Sequence, residues 1–252
     1  MSCIIYNTIL ELARRLSMET NEQYGSIMVD EPVLVQQNVV TTPEVVVSGG
    51  KLYCFLKRAF DIFASGLFLL CFGWFIALLL FIKFCEDGHN PIYTSYRVGK
   101  SNKQFKFHKI RSMVPDAEFM KQKLIDEGKN EADGPAFKMK DDPRITRFGK
   151  FLRKTSLDEL PQLINILSGD MSIVGPRPVI DGEIDKYGKN KAKFLSVTPG
   201  LTGWWACNGR SATTYKERMK LELYYVDNRS FKLDLKVIFK TFISVLKRDG
   251  AK

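Results

Sequence analysis

IFASGLFLLCFGWFIALLLFI, residues 62–82, carries no charged side chain over 21 positions. As a helix it would run about 31 Å at roughly 1.5 Å per residue, which matches a bilayer core. Lys51, Lys57 and Arg58 stand before it, Asp61 sits at its edge and Lys83 follows. The stretch is read as membrane-inserted rather than as the central helix of a soluble domain. Basic residues on both sides fit a re-entrant helix with both ends on the cytoplasmic face. The acidic segment upstream equally permits a true span.

That upstream segment, residues 1–50, holds six acids (Glu11, Glu19, Glu22, Asp30, Glu31, Glu44) against Arg14 and Arg15, or −4. The whole chain is +10, so the remainder carries +14. Such a charge calls for an anionic partner: phosphorylated substrate, anionic lipid or nucleic acid. Ile9, Leu12, Ala13 and Leu16 recur at helical spacing, and a valine-rich stretch runs from Val33 to Val47. No basic start leads into an apolar run, so the segment does not read as a signal peptide.

Downstream, Tyr93–Val98 and Gln104–Ile110 alternate about a turn at Gly99 and predict a hairpin. Helices are predicted over 116–126, 145–152, 215–227 and 233–247. The last has a broad apolar face edged by lysines, which suits core packing or a membrane interface. Five cysteines show neither CxxC nor zinc spacing, and the two histidines, His89 and His108, lie near no nucleophile elbow. Disulfide scaffolds, zinc sites and Ser-His-Asp hydrolases are thereby set aside.

The chemistry concentrates in Arg153-Lys-Thr-Ser-Leu-Asp158-Glu159-Leu-Pro-Gln162. Ser156 with Glu159 is a capping-box pattern with Ser156 as N-cap; Pro161 allows instead a helix starting at Leu160. Either register sets Asp158 near a helix N-terminus, where an ionised carboxylate and phosphate are favoured. An ionised aspartate beside cations is a nucleophile towards phosphorus. Candidate phosphate-binding cations are Lys109, Arg111, Arg144, Arg147, Arg153, Arg177 and Arg210. Pro176 and Pro178 pre-set the backbone around Arg177. Gly200 and Gly203 permit close backbone approach to a ligand, and Trp204 and Trp205 can stack on a base or anchor at a headgroup layer. There is no Walker A loop and no Rossmann glycine fingerprint.

Seven segments occur in order: Lys57-Arg58-Ala-Phe-Asp61, Arg97-Val-Gly-Lys100, Phe107-His-Lys109-Ile-Arg111-Ser-Met113, Asp142-Pro-Arg144-Ile-Thr-Arg147, Leu157-Asp-Glu-Leu-Pro-Gln162, Gly169-Asp-Met-Ser-Ile-Val-Gly-Pro-Arg-Pro178 and Pro199-Gly-Leu-Thr-Gly-Trp204. Together they closely resemble the monotopic phosphoglycosyl transferases, the bacterial sugar transferases that initiate glycoconjugate assembly. The resemblance covers about residues 52–250 and is to the small form. It implies transfer of a sugar-1-phosphate from a UDP-sugar to polyprenyl (undecaprenyl) phosphate, with release of UMP. It implies that Asp158 attacks phosphorus to form a phosphosugar-enzyme intermediate, that Asp158 and Glu159 form the Mg2+ site, and that Lys109, Arg153 and Arg177 bind phosphate oxygens. Two departures stand out. Gly73-Trp74 occupies the place where the family's re-entrant helix commonly breaks at Ser-Pro; glycine permits a bend without compelling one. Ser95 stands where relatives often carry glutamine.

The expected fold is therefore α+β and mostly helical. A membrane-inserted N-terminal helix, re-entrant rather than spanning, precedes a compact cytoplasmic catalytic domain with a small β-hairpin and interfacial helices. The expected divisions are an N-terminal extension (1–50), the membrane-inserted helix (51–84, with Lys57, Arg58, Gly73 and Trp74 as its membrane residues) and the catalytic domain (85–252). Expected partners are the UDP-sugar, polyprenyl phosphate, membrane lipids and downstream glycosyltransferases, but not nucleic acid, at the bacterial inner membrane. Two other readings remain: a non-enzymatic membrane-anchored partner protein, and a basic nucleic-acid binder that would leave the apolar stretch unexplained.

Overall fold

A computed structural model describes residues 49–131, 137, 139–209 and 213–247. The helix expected around residues 9–16, the valine-rich stretch and Arg210 lie outside these.

The apolar stretch is the middle of one 37-residue helix, α1 (Lys51–Asp87), about 55 Å long at roughly 1.5 Å per residue. By length and composition it could cross a membrane. It continues unbroken through Gly73-Trp74, where no proline removes a backbone hydrogen bond. Gly88, at φ 69°, ends it, donating its N–H to the Phe84 carbonyl. One face is buried through Asp61, Ser65, Ile76, Leu79 and Lys83. The other presents Phe63, Leu70, Phe72, Trp74, Leu78 and Phe81 to the surroundings.

Strands β1 (Ile92–Val98) and β2 (Gln104–Ile110) form the expected antiparallel hairpin, with Tyr93 opposite Lys109, Ser95 opposite Phe107 and Arg97 opposite Phe105. Next come α2 (Ala117–Asp126) and α3 (Arg147–Thr155), the latter capped by the Thr146 hydroxyl, which accepts from the Gly149 N–H. A 3-10 turn, Leu157–Glu159, leads to α4 (Gln162–Ser168). β3 (Ser172–Val174) pairs in parallel with β4 (Gly200–Thr202), and a 3-10 segment (Ile184–Asn190) and the short α5 (Lys191–Phe194) lie between them. The chain continues through α6 (Tyr215–Asn228) and α7 (Phe231–Lys247).

Two local expectations are corrected. Ser156 does hold the N-cap position, of the 3-10 turn, but at φ 56°, ψ 19°; it closes α3 at the same time and its side chain makes no capping bond. A left-handed residue ends the preceding helix, so the Ser-x-x-Glu spacing goes unused. Nor does the helix start at Leu160; α4 begins two residues on, at Gln162 after Pro161. A complete capping box forms instead at Thr214 and Glu217, at the head of α6. The parallel β3–β4 pair had no sequence signal, because three-residue strands are too short to show alternation.

α1 lies along the rest of the molecule. Phe68 and Leu69 pack on Phe105, Phe107, Leu163, Ile166 and Met171. Leu79, with Phe75 and Leu80, joins Ile110 and Leu152. At its N-terminal end the Asp61 carboxylate accepts from the Ile173 N–H at 2.9 Å, and Arg58 donates to the Ile166 and Leu167 carbonyls at 2.5 and 2.9 Å. Those are among the last carbonyls of α4; the Ile166 carbonyl also accepts from the Gly169 N–H at 3.1 Å. Asp234 on α7 accepts from Tyr53 (2.9 Å), Lys57 (2.8 Å) and Tyr225 (2.7 Å). At the other end, fully buried Lys83 pairs with Glu86 (2.6 Å) and Asp87 (2.8 Å). Glu86 accepts from Thr146 at 3.0 Å, and Asp87 pairs with Arg111 at 2.5 Å.

Candidate active site

The 3-10 turn after Ser156 carries the two acids. Asp158 is buried, 6% exposed, and Glu159 is half-buried. β2 supplies the first cation. Phe105, Phe107 and Lys109 alternate onto one face of the strand. From there the Lys109 ammonium reaches Glu159 Oε1 at 3.0 Å and Asp158 Oδ2 at 3.8 Å. α3 supplies the second. Gly149 lets α3 close onto residue 112; a methyl group at that position would overlap the Ser112 carbonyl. One turn on, Arg153 Nε donates to Ser112 Oγ at 2.8 Å, and its charge and that of Asp158 each favour the other's ionised form.

Burial pushes the Asp158 carboxyl above its ordinary pKa; Glu159 adds to this, while Lys109 and Arg153 oppose it. A carboxylate that is poorly solvated yet flanked by cations is a competent nucleophile towards a phosphate, whose oxygens the same cations can hold.

A cleft adjoins the turn, lined among others by Arg97, Phe107, Glu159, Gln162, Arg177, Thr202, Gly203, Trp205 and Glu222. Arg177 is open to solvent there. The protein around its guanidinium nevertheless desolvates it and, with Arg218, lowers its pKa against the pull of Glu159, Glu183 and Glu222. Its backbone N–H is held by the buried Glu222 carboxylate at 3.2 Å. Arg177 and Arg218 lie 5.7 and 4.9 Å from the Trp205 ring centroid. Trp204 turns elsewhere, stacking on Tyr224 at 5.5 Å.

Lys109 and Arg153 thus gather at Asp158, and Arg177 on the Glu159 side. The other expected cations are committed differently. Arg111 pairs with Asp87. Arg144, buried, grips both oxygens of Asp142 at 2.8 and 2.7 Å, a bidentate pair that organises the turn before α3. Arg147 is exposed at the head of α3. Lys57 and Arg58 are tied to Asp234 and to α4, while Trp74 is 68% exposed on α1. Sequence reasoning missed Arg97, Gln162, Arg218 and Glu222. Arg97 was recoverable, since hairpin register sets it on the same face as Lys109. Arg218 and Glu222 are four residues apart on α6 and read from sequence as an ordinary surface pair. Ser95 shares the Arg97 face, and its buried hydroxyl has no hydrogen-bond partner among the described residues.

Residues 52–248 match the model of a family described as bacterial sugar transferase. The undecaprenyl-phosphate galactose phosphotransferase of Salmonella typhimurium is 43% identical over 199 residues, covering 78% of this chain and 42% of the relative. The exopolysaccharide production protein ExoY of Rhizobium meliloti is 38% identical over 198 residues, covering 77% of this chain and 87% of the relative. The UDP-N-acetylgalactosamine-undecaprenyl-phosphate N-acetylgalactosaminephosphotransferase of Aeromonas hydrophila is 34% identical over 209 residues, covering 80% and 46%. The chain thus spans less than half the length of the Salmonella and Aeromonas relatives. The matched region contains α1, the hairpin, the acidic turn and the cleft, and the chain belongs to the bacterial sugar transferase family.

Proposed function

We propose that this protein moves a sugar-1-phosphate from a UDP-sugar to polyprenyl phosphate, initiating a polysaccharide or glycoconjugate. The observation that carries this reading is Asp158, buried between Lys109 and Arg153 and next in sequence to Glu159, which lines the cleft with Arg97 and Arg177. An Asp158 oxygen attacks the sugar-bearing phosphorus. A P–O bond to the carboxylate forms, the bond to the bridging oxygen breaks, and its electron pair leaves with UMP. An oxygen of polyprenyl phosphate then attacks the same phosphorus, the acyl phosphate bond breaks, and Asp158 returns as a carboxylate. Both nucleophiles act as anions, and Lys109 and Arg153 favour the ionised form of Asp158 against its burial. Catalysis therefore falls to positioning and to charge stabilisation by Lys109, Arg153 and Arg177.

Asp158 and Glu159 also fit a magnesium ion, being hard oxygen donors of the kind it takes. Among the described residues no three His, Cys, Asp or Glu side chains converge, so this pair would hold the ion together with substrate phosphate oxygens and water. When bound, it supplies neutralisation of phosphate charge.

In this reading the membrane-inserted helix expected over 51–84 is the apolar face of α1, sunk into one leaflet with both ends at the cytoplasmic side; because α1 is unbroken, it lies in that leaflet rather than turning back within it, and it does not span. Its support is that both ends of α1 are tied to the same domain, through Asp234 and α4 at one end and Thr146 and Arg111 at the other. Residues 85–252 then work at the cytoplasmic face of the bacterial inner membrane, with the apolar faces of α1 and α7 towards lipid. The polyprenyl diphosphate sugar so formed is a substrate for downstream glycosyltransferases. Sugar choice is assigned to residues 200–215, whose first part lines the cleft.

The test is UMP release across a panel of UDP-sugars with polyprenyl phosphate and magnesium. Release that needs the acceptor for continued turnover and is abolished in Asp158→Asn is expected; turnover retained in that variant removes Asp158 as the nucleophile.

A further inference from the structure

The cleft beside Glu159 holds more hydrogen-bond donors than its own residues use. Gln162 is 2% exposed, and its Nε2 has no partner among the described residues. Arg97 Nε, in the same lining, is likewise buried without a partner, and so are Nε and Nη2 of Arg218, which does not line the cleft itself but lies 4.9 Å from the ring centroid of Trp205, which does. Only Nη1 of Arg218 is committed, 2.9 Å from Glu183 Oε1. Buried donors are expected to be paired, and leaving several unpaired in one place is costly unless a ligand completes them.

Charges of both signs face these donors. Burial and the nearby Arg177 bring Arg97 down to about 10, and Arg218 depresses Arg177. Of the carboxylates facing this cluster, Glu222 is itself pushed up to about 7, mainly by burial. Glu159 and Glu183 face it as well, Glu183 lying 2.9 Å from Arg218. The vacant donors suit a phosphate.

Consecutive residues on a 3-10 turn point about 120° apart. Asp158 accordingly lies towards Arg153 and 3.8 Å from Lys109, while Glu159 takes the Lys109 hydrogen bond at 3.0 Å and lines the cleft. In an in-line displacement the leaving group lies across the phosphorus from the nucleophile. We infer that Arg97, Arg218 and Gln162, with Arg177, form the subsite for the nucleoside-bearing phosphate, receiving it as the bridging bond breaks and it leaves as a nucleoside monophosphate. The substrate class rests on the reaction proposed above; the anion subsite rests on the donors. Phe107 fixes the division of labour on the hairpin, with Arg97 5.4 Å and Lys109 5.6 Å from its ring centroid. Lys109 serves the attacking side and Arg97 the leaving side.

The full chain in detergent would be titrated separately with UMP, uridine and a short-chain polyprenyl phosphate. Wild type is expected to bind UMP at least tenfold more tightly than uridine. Arg97→Gln and Arg218→Gln should each weaken UMP at least tenfold, while uridine and the lipid phosphate stay within twofold. Arg97→Lys and Arg218→Lys keep the charge and lose the fork; they should fall between, and they decide the matter if a Gln variant fails to fold. UMP affinity unchanged in the variants, or no better than that of uridine in wild type, overturns the subsite. So does a loss confined to the lipid phosphate, which would give the cleft to the acceptor. Asp158→Asn should abolish turnover but keep UMP binding. Wild type that turns over no UDP-sugar defeats the reaction without touching the UMP result.

Discussion

Asp158 lies buried on the 3-10 turn, with Lys109 and Arg153 as its nearest cations. Its folded pKa is raised, so above the ordinary carboxylate range the folded state holds its proton more tightly than the unfolded chain. Stability from this group is therefore highest when it is protonated and falls as pH rises. Asp158→Asn should raise Tm at pH 7.5 while abolishing turnover; an unchanged or lower Tm would mean that the cations already stabilise the ionised form. Glu222 behaves similarly, rising from 4.5 to about 7. Wild-type stability should decline as pH climbs through that window. Glu222→Gln should remove the decline and gain as much as about 3 kcal/mol at pH 8, read by denaturant unfolding across pH; a parallel decline in both proteins would reject this. The sequence announced Asp158, Lys109, Arg153 and Arg177 because each sits in a dense motif. It could not distinguish Arg144 and Arg111 from them. What separates these two is a neighbour's carboxylate, Asp142 or Asp87, and long side chains choose partners only once the fold exists.

Among the elements, the hairpin and the long helices were legible because alternation and 3.6-residue periodicity persist over many residues. The turn carrying the acids was not. Its Ser-x-x-Glu spacing matched a capping box, but the left-handed Ser156 uses the same residues to stop α3. The close packing of α3 on residue 112 was equally hidden, resting on one glycine hydrogen. Gly149→Ala should lower stability by about 1–3 kcal/mol through overlap with the Ser112 carbonyl and should depress turnover by displacing Arg153. Full activity with unchanged Tm would show that α3 can shift freely. Where α1 meets α7, the Asp234 carboxylate holds three donors. Asp234→Asn leaves Lys57 short of its counter-charge and should speed hydrogen exchange over residues 51–61 far more than at the Lys83 end. Uniform acceleration along α1 would show that the helix opens as one unit.

The 55 Å helix and the +14 carried by residues 51–252 suit a protein that works at an anionic membrane. With both ends of α1 fastened to one domain, single-cysteine forms keeping Cys54 or Cys85, both exposed near the helix ends, should react with an impermeant maleimide from the cytoplasmic side only. Labelling from opposite sides would establish a span. In the proposed reaction the sugar donor, the lipid acceptor and the membrane meet at Asp158, so the decisive measurement is intact-protein mass after exposure to a UDP-sugar and magnesium without acceptor, followed by peptide mapping. A gain equal to one sugar phosphate on Asp158, discharged by polyprenyl phosphate, is the predicted result. Donor turnover with no adduct on that residue would contradict it.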